Sequence, residues 1–183
     1  MAVFLLCAGS LVISAQPFEA SISGGASRLS SRDIGSGYSL DNGFSLGFRM
    51  TLNTYKFFGH ELGYSYNRSH LLYAGVDQGG MGIHTGLYNF LVYGTQEGSK
   101  IRPFISAGPN FSNFVQPGAS AQYGQGNTKF GVNYGGGVKV KVSSFFQVRA
   151  DFHQYLTGKP FDLPGASGKL KQNVISVGFG IHI

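Results

Sequence analysis

Apolar side chains alternate, residue by residue, with polar or very small ones over eight stretches of the chain. In the last, Ile175, Val177, Phe179, Ile181 and Ile183 fall on one parity, and Ser176, Gly178, Gly180 and His182 on the other. Successive strand side chains point to opposite faces of a sheet, so such a stretch is a strand with one apolar face and one small or polar face. The same period predicts strands over residues 18–27, 43–52, 58–67, 82–95, 101–115, 129–142, 145–156 and 170–183. The second sets Phe44, Leu46, Phe48, Met50 and Leu52 against Ser45, Gly47, Arg49 and Thr51. The sixth sets Phe130, Val132, Tyr134, Val138, Val140 and Val142 against Gly131, Asn133, Gly135, Gly137, Lys139 and Lys141. The fourth is less clean, because Asn89 falls among Ile83, Leu87, Leu91 and Tyr93.

The links alternate as well. They are brief after the second, fourth and sixth strands, near residues 53–57, at 97–100 and at Ser143-Ser144. The others are longer and rich in Gly, Ser, Asp, Gln and Pro. The one long apolar run, residues 2–15, carries no charge and is too short to span a bilayer. It ends in Ile13-Ser14-Ala15, the pattern of a signal-peptide core with a small residue at the cut. We therefore expect residues 1–15 to be a signal peptide and 16–183 to form one domain. Behind a secretion signal, the simplest solvent for an apolar face shared by every strand is lipid. The expected fold is all-β: an eight-stranded antiparallel up-and-down transmembrane β-barrel in a bacterial outer membrane, with short turns on the periplasmic side and longer loops outside. Closure leaves no sheet edge, which lipid could not satisfy.

Twenty-nine glycines, 16 Phe and 10 Tyr suit strands and turns. The only cysteine, Cys7, lies in the signal segment, so no disulfide is expected in the mature domain. The formal charge of +6 is scattered singly along strands and loops, a distribution that argues against nucleic acid and leaves anionic lipid as a partner. The face opposite the lipid then holds Glu19, Arg49, Glu61, Arg102, Lys139, Lys141, Arg149 and Asp151, which are expected to pair across strands as a barrel-interior charge network. Eight strands enclose a space that side chains can fill, so this reads as a packed polar core rather than an ion path. Gly63, Gly86, Gly108, Gly135, Gly137, Gly178 and Gly180 are expected to face inward and make room for it. In the loops, Arg28, Arg32, Arg68, Lys129, Lys159, Lys169 and Lys171 outnumber the acids and are possible contacts for anionic headgroups.

Other motifs carry less. Gly43-Phe44-Ser45-Leu46-Gly47 has the spacing of a nucleophile elbow but sits inside an alternating strand with no helix after it. The five histidines show no close ligand spacing; His60 reads as interfacial, and His84, His153 and His182 as inward filler. Tyr64, Tyr66, Tyr73, Tyr88, Tyr93, Tyr134 and Tyr155 are expected to form interfacial girdles. No catalytic residue, cofactor or metal site is expected.

The strand rhythm, the Arg102-Pro103-Phe104-Ile105-Ser106-Ala107-Gly108 stretch and the closing strand over residues 174–183 resemble the small outer-membrane β-barrel superfamily, which includes the membrane domain of outer-membrane protein A and the opacity-type and OmpX-like proteins. The resemblance implies a non-enzymatic monomer that stabilises the membrane or meets other surfaces through its loops. Its implied partners are outer-membrane lipid, lipopolysaccharide and, during biogenesis, the barrel-assembly machinery. Narrow pores occur in the same group, and lipid A-modifying barrels are a further alternative. Where the family usually ends in an aromatic residue this chain has Ile183, and the peptidoglycan-binding domain of larger members is not expected.

Overall fold

The alternation closes on itself in three dimensions. The structure, a computed structural model, describes residues 18–30, 32–119 and 126–182; the expected signal segment with Cys7, and Ile183, lie outside them. Its strands are β1 Phe18–Ser30, β2 Asp33–Gly35, β3 Tyr38–Leu40, β4 Gly43–Tyr55, β5 Phe58–Tyr73, β6 Val76–Tyr93, β7 Ile101–Val115, β8 Asn127–Lys141, β9 Phe146–Gly158 and β10 Lys169–His182. Round the wall the order is β1, β4, β5, β6, β7, β8, β9, β10 and back to β1, every pair antiparallel. The eight predicted strands are the eight staves.

The register sets like against like on the outer face. Ile22 stands opposite Phe48 on one side and Phe179 on the other. These outward residues are strongly exposed: Ile22 by 63%, Ile105 by 65%, Phe179 by 66% and Phe130 by 81%. An apolar surface that encircles the molecule exceeds anything a soluble monomer presents, and lipid is the solvent that satisfies it.

Three elements differ from the sequence expectation. On β6 it is Ile83, Leu87, Leu91 and Tyr93 that point inward with Thr85 and Asn89, while His84, Tyr88 and Phe90 point out. Asn89 is thus no interruption; it marks the inward parity of a strand apolar on both faces. Consequently His84 and Gly86 face outward, and Tyr93 and Tyr155 are lumen residues rather than girdle residues. The expected long link after the third strand is also absent as a loop. β5 and β6 continue as a tall hairpin joined at Ala74-Gly75, whose φ angles of 47° and 82° are those of a two-residue primed turn, where glycine bears the left-handed conformation without strain.

The first link likewise carries structure over residues 33–40. β2 and β3 form a small ribbon that extends the wall beside β5 and drops Ile34 and Leu40 into the mouth, both fully buried. Together with Leu29, Leu71, Met81, Ile83, Phe114 and Leu170 they form an apolar cluster, against which Tyr38, Phe161 and Leu163 pack. The lumen is therefore layered, charged towards the periplasmic turns and apolar beneath the extracellular loops.

Candidate functional site

The lower lumen is built from inward positions near the periplasmic ends of the strands. Glu19 accepts from Lys139 Nζ at 2.5 Å, Gln147 Nε2 at 2.8 Å and Asn53 Nδ2 at 2.8 Å. Lys139 Nζ also donates to the Tyr93 hydroxyl at 2.9 Å. The Arg102 guanidinium lies 3.7 Å from the Tyr93 ring centre, 3.7 Å from Glu19 and 2.5 Å from Glu97. A tyrosine face under a guanidinium adds cation–π attraction, which desolvation strengthens.

A second charged layer lies immediately above. Glu61 is fully buried and accepts from Arg49 at 3.1 Å, from the Thr51 hydroxyl at 3.1 Å and from Arg149. Arg149 also donates to Asp151, which accepts from the Ser176 hydroxyl at 2.6 Å. Arg49 donates to His153 Nε2 at 3.0 Å, and Arg149 covers the Phe104 ring at 4.7 Å. Isolated buried charges cost several kcal/mol each, so this interior depends on every charge being answered.

Seven of the eight interior residues expected from sequence, Glu19, Arg49, Glu61, Arg102, Lys139, Arg149 and Asp151, are buried and in contact through these pairs. Lys141 is not: it stays half-exposed at the periplasmic rim near Gln147 and His182, without an ion pair among the described residues. The fourth acid that balances Arg49, Arg102, Lys139 and Arg149 comes instead from Glu97, in the β6–β7 turn. Sequence reasoning missed Glu97 because turn residues have no strand parity. It also missed Tyr93, Phe104 and Tyr155 as lumen residues; Asn89 was the available signal for Tyr93, on the same strand and two turns of the pleat away.

Above the charges, the lumen passes through Tyr155, Leu87 and Val174 and a band of amides and hydroxyls, with Thr85 against Ser112 and Gln172 against Ser27, each at 2.8 Å. The apolar cluster follows. A cavity of about 320 Å³ opens above it to the outside, lined by Ile34, Tyr38, Leu71, Phe161 and Leu163, with Gln78, Gln116 and Pro117 at its edge.

The expected headgroup residues separate into three groups. Lys129 is on the inward parity of β8 and donates to Asp162 at 2.6 Å, so it braces the mouth instead of reaching lipid. Arg32 pairs with Asp41 at 3.0 Å on the surface. Arg28, Arg68, Lys169 and Lys171 are exposed on outward positions at the extracellular ends of β1, β5 and β10, and Lys159 follows β9; none of the five makes an ion pair among the described residues.

A closed antiparallel barrel with an apolar outer wall and a polar, ion-paired interior defines an integral protein of the bacterial outer membrane. The chain belongs to the outer membrane protein beta-barrel domain family, whose model matches residues 2–182. Among solved structures it is similar to Neisserial surface protein A, at 13% identity and TM-score 0.63, over 90% of this chain and 96% of that one. It is similar to the outer membrane protein OprG from Pseudomonas aeruginosa, at 14% identity and TM-score 0.63, over 92% and 96% of the two chains. Outer Membrane Protein W of E. coli aligns at 18% identity and TM-score 0.53, over 92% and 97%. At these identities the likeness concerns the fold. No curated protein matches the sequence.

Proposed function

We propose that this barrel is a non-enzymatic surface protein: a sealed wall that holds an ordered extracellular mouth available for contact with other molecules. The observation that carries this reading is the layered filling of the lumen. Ion pairs that cross the bore occupy its lower part, and the ribbon of β2 and β3 packs an apolar cluster into its top. Eight-stranded barrels have an interior that side chains can fill, and this one is filled at both ends. Among the described residues, the acids of the lower lumen, Glu19, Glu61 and Asp151, are each paired with a lysine or arginine, which supports a packing role for them. Ser45, the centre of the elbow-like motif, is a buried inward residue of β4.

The concave mouth, with exposed Tyr73 beside Tyr38 at 4.7 Å between ring centres, is the natural contact surface. The outward bases Arg28, Lys169 and Lys171 would steady the rim against anionic headgroups, each contributing about 1 kcal/mol. Two measurements test the reading. Purified barrel in planar bilayers should give no discrete conductance steps, whereas stable steps would favour a narrow pore. Cells displaying Tyr38→Ser/Phe161→Ser at unchanged barrel level should lose the surface adhesion that the wild-type barrel confers; unaltered adhesion, or none conferred by the wild type, would remove the mouth from consideration.

A further inference from the structure

Outside the lumen, the extracellular ends of β5 and β6 form a cleft on the lipid-facing wall. It encloses about 410 Å³ between Tyr66, Arg68 and His84 on one side and Val115 and the start of the β7–β8 loop, Gln116 to Ala119, on the other. Its floor is β6 backbone, because the outward residues there are Gly80 and Gly82. A Cβ on Gly80 would come within 2.3 Å of the Arg68 guanidinium, and one on Gly82 would sit 3.4 Å from the Tyr66 ring and 3.5 Å from His84 Nε2. Side chains at either position would occupy the space that these groups surround.

We propose that this cleft binds the phosphate group of an outer-leaflet lipid. The polar groups are already positioned for an anion. Arg68 reaches the Tyr66 hydroxyl at 3.4 Å and has no carboxylate partner among the described residues. The Tyr64 hydroxyl holds His84 Nδ1 at 2.6 Å, which turns Nε2 towards Gly82. Of the two acids on the same hairpin, Glu61 is buried in the lumen, and Asp77 is engaged by His70 at 2.9 Å and by the Gly79 amide at 2.8 Å. The loop from Gln116 to Gly126 contains no acidic or basic residue, so nothing in it neutralises Arg68. A guanidinium offers paired donors that match phosphate oxygens, and hydroxyl and imidazole groups complete the shell.

The depth also fits a lipid headgroup. Arg68 stands opposite Phe44 on β4, and Phe44, Leu46 and Phe111 line the wall nearby and towards the membrane, 49%, 53% and 51% exposed. Acyl chains would lie on these residues and the phosphate above them. The site depends on the membrane placement of the wall, not on what the mouth contacts, so it stands or falls separately from the adhesion and conductance tests.

The experiment uses the folded barrel in phosphatidylcholine nanodiscs doped with diphosphorylated lipid A, or with the same lipid stripped of its phosphates, and reads retained lipid by native mass spectrometry. The wild-type barrel should retain the phosphorylated form about fivefold or more in excess, the change expected from one arginine near a charged surface. Arg68→Gln should reduce retention to that of the dephosphorylated lipid. Gly82→Val, which fills the floor and keeps every charge, should do the same. Heat-modifiable migration of both variants reports that they remain folded. Equal retention of the two lipids, or undiminished preference in folded Arg68→Gln, overturns the proposal. So does Arg68-dependent capture of inorganic phosphate with no lipid preference, which would assign the cleft to a soluble anion.

Discussion

Glu19 on β1 and Lys139 on β8 meet at 2.5 Å, although β10 and β9 stand between them round the wall. The pair therefore bridges the bore. Removing one partner leaves a buried charge beside Arg102, and such losses cost about 3–5 kcal/mol. Glu19→Ala should lower the urea midpoint of the barrel accordingly, followed by loss of heat-modifiable migration. Glu19→Leu/Lys139→Met, which removes both charges, should be much less destabilised. Equal losses in the two variants would show that the ion pair is not what matters there.

The parity of β6 has a direct test in labelling. Leu87 is 6% exposed and inward, while its neighbour Tyr88 is 37% exposed and outward. A fluorophore on Leu87→Cys should resist quenching by brominated lipid, and one on Tyr88→Cys should be quenched. The reverse result would restore the parity that hydrophobicity alone suggests.

The plug depends on Leu40, which is wholly buried among Leu29, Ile34 and Leu71. Leu→Ala changes at such sites cost about 2–5 kcal/mol, according to how far the surroundings collapse. Because β2 and β3 are short and flank the barrel, most of that loss should appear as local opening. Protease added to intact cells should cut Leu40→Ala within residues 30–42 and spare the wild type, with the staves unaffected.

Asp77 in the tall hairpin accepts from the Gly79 amide and from His70, and these bonds hold its carboxyl below the ordinary carboxylate range. A depressed folded value stabilises the hairpin above the unfolded value, about pH 4, and the contribution is lost as pH falls through the folded value. The Gly79 amide resonance should accordingly keep its neutral-pH position down to about pH 4 and move only below it. A midpoint above that range would contradict the bonding described.

How much of this could be read from the sequence follows from the physics of each strand. Where one face is apolar and the other polar, as on β4 and over residues 175–181 of β10, alternation gave the orientation of the side chains; towards the mouth the rule inverts, with Leu170 and Val174 inward and Lys169 and Lys171 outward. On β6 both faces are largely apolar over residues 87–93, because the outer one meets lipid and the inner one fills the lumen. Hydrophobicity then loses its discrimination, and Thr85 and Asn89 are the remaining guides. Buried loop contacts were hidden for another reason. Ile34 and Leu40 flank Gly35-Ser36-Gly37, a turn signal that reads as surface when the wall it folds against is not in view. The lateral cleft was still less legible, since it consists of two glycines opposite Arg68, Tyr66 and His84, brought together only by the β5–β6 register.

The two-sided apolar character of β6 bears on how the barrel is made. A strand slipped by one residue exchanges its faces. For most staves that error would put charged groups into lipid and be rejected at once. For β6 the slipped form carries no charge of the span into lipid, only Thr85, Asn89 and the Tyr93 hydroxyl that accepts from Lys139, so the fidelity of insertion at this stave is guarded by three uncharged side chains. Replacing Thr85 and Asn89 with leucine would leave Tyr93 as the one polar guide of the three, and misassembled barrels should then accumulate although no contact of the finished wall had been made repulsive.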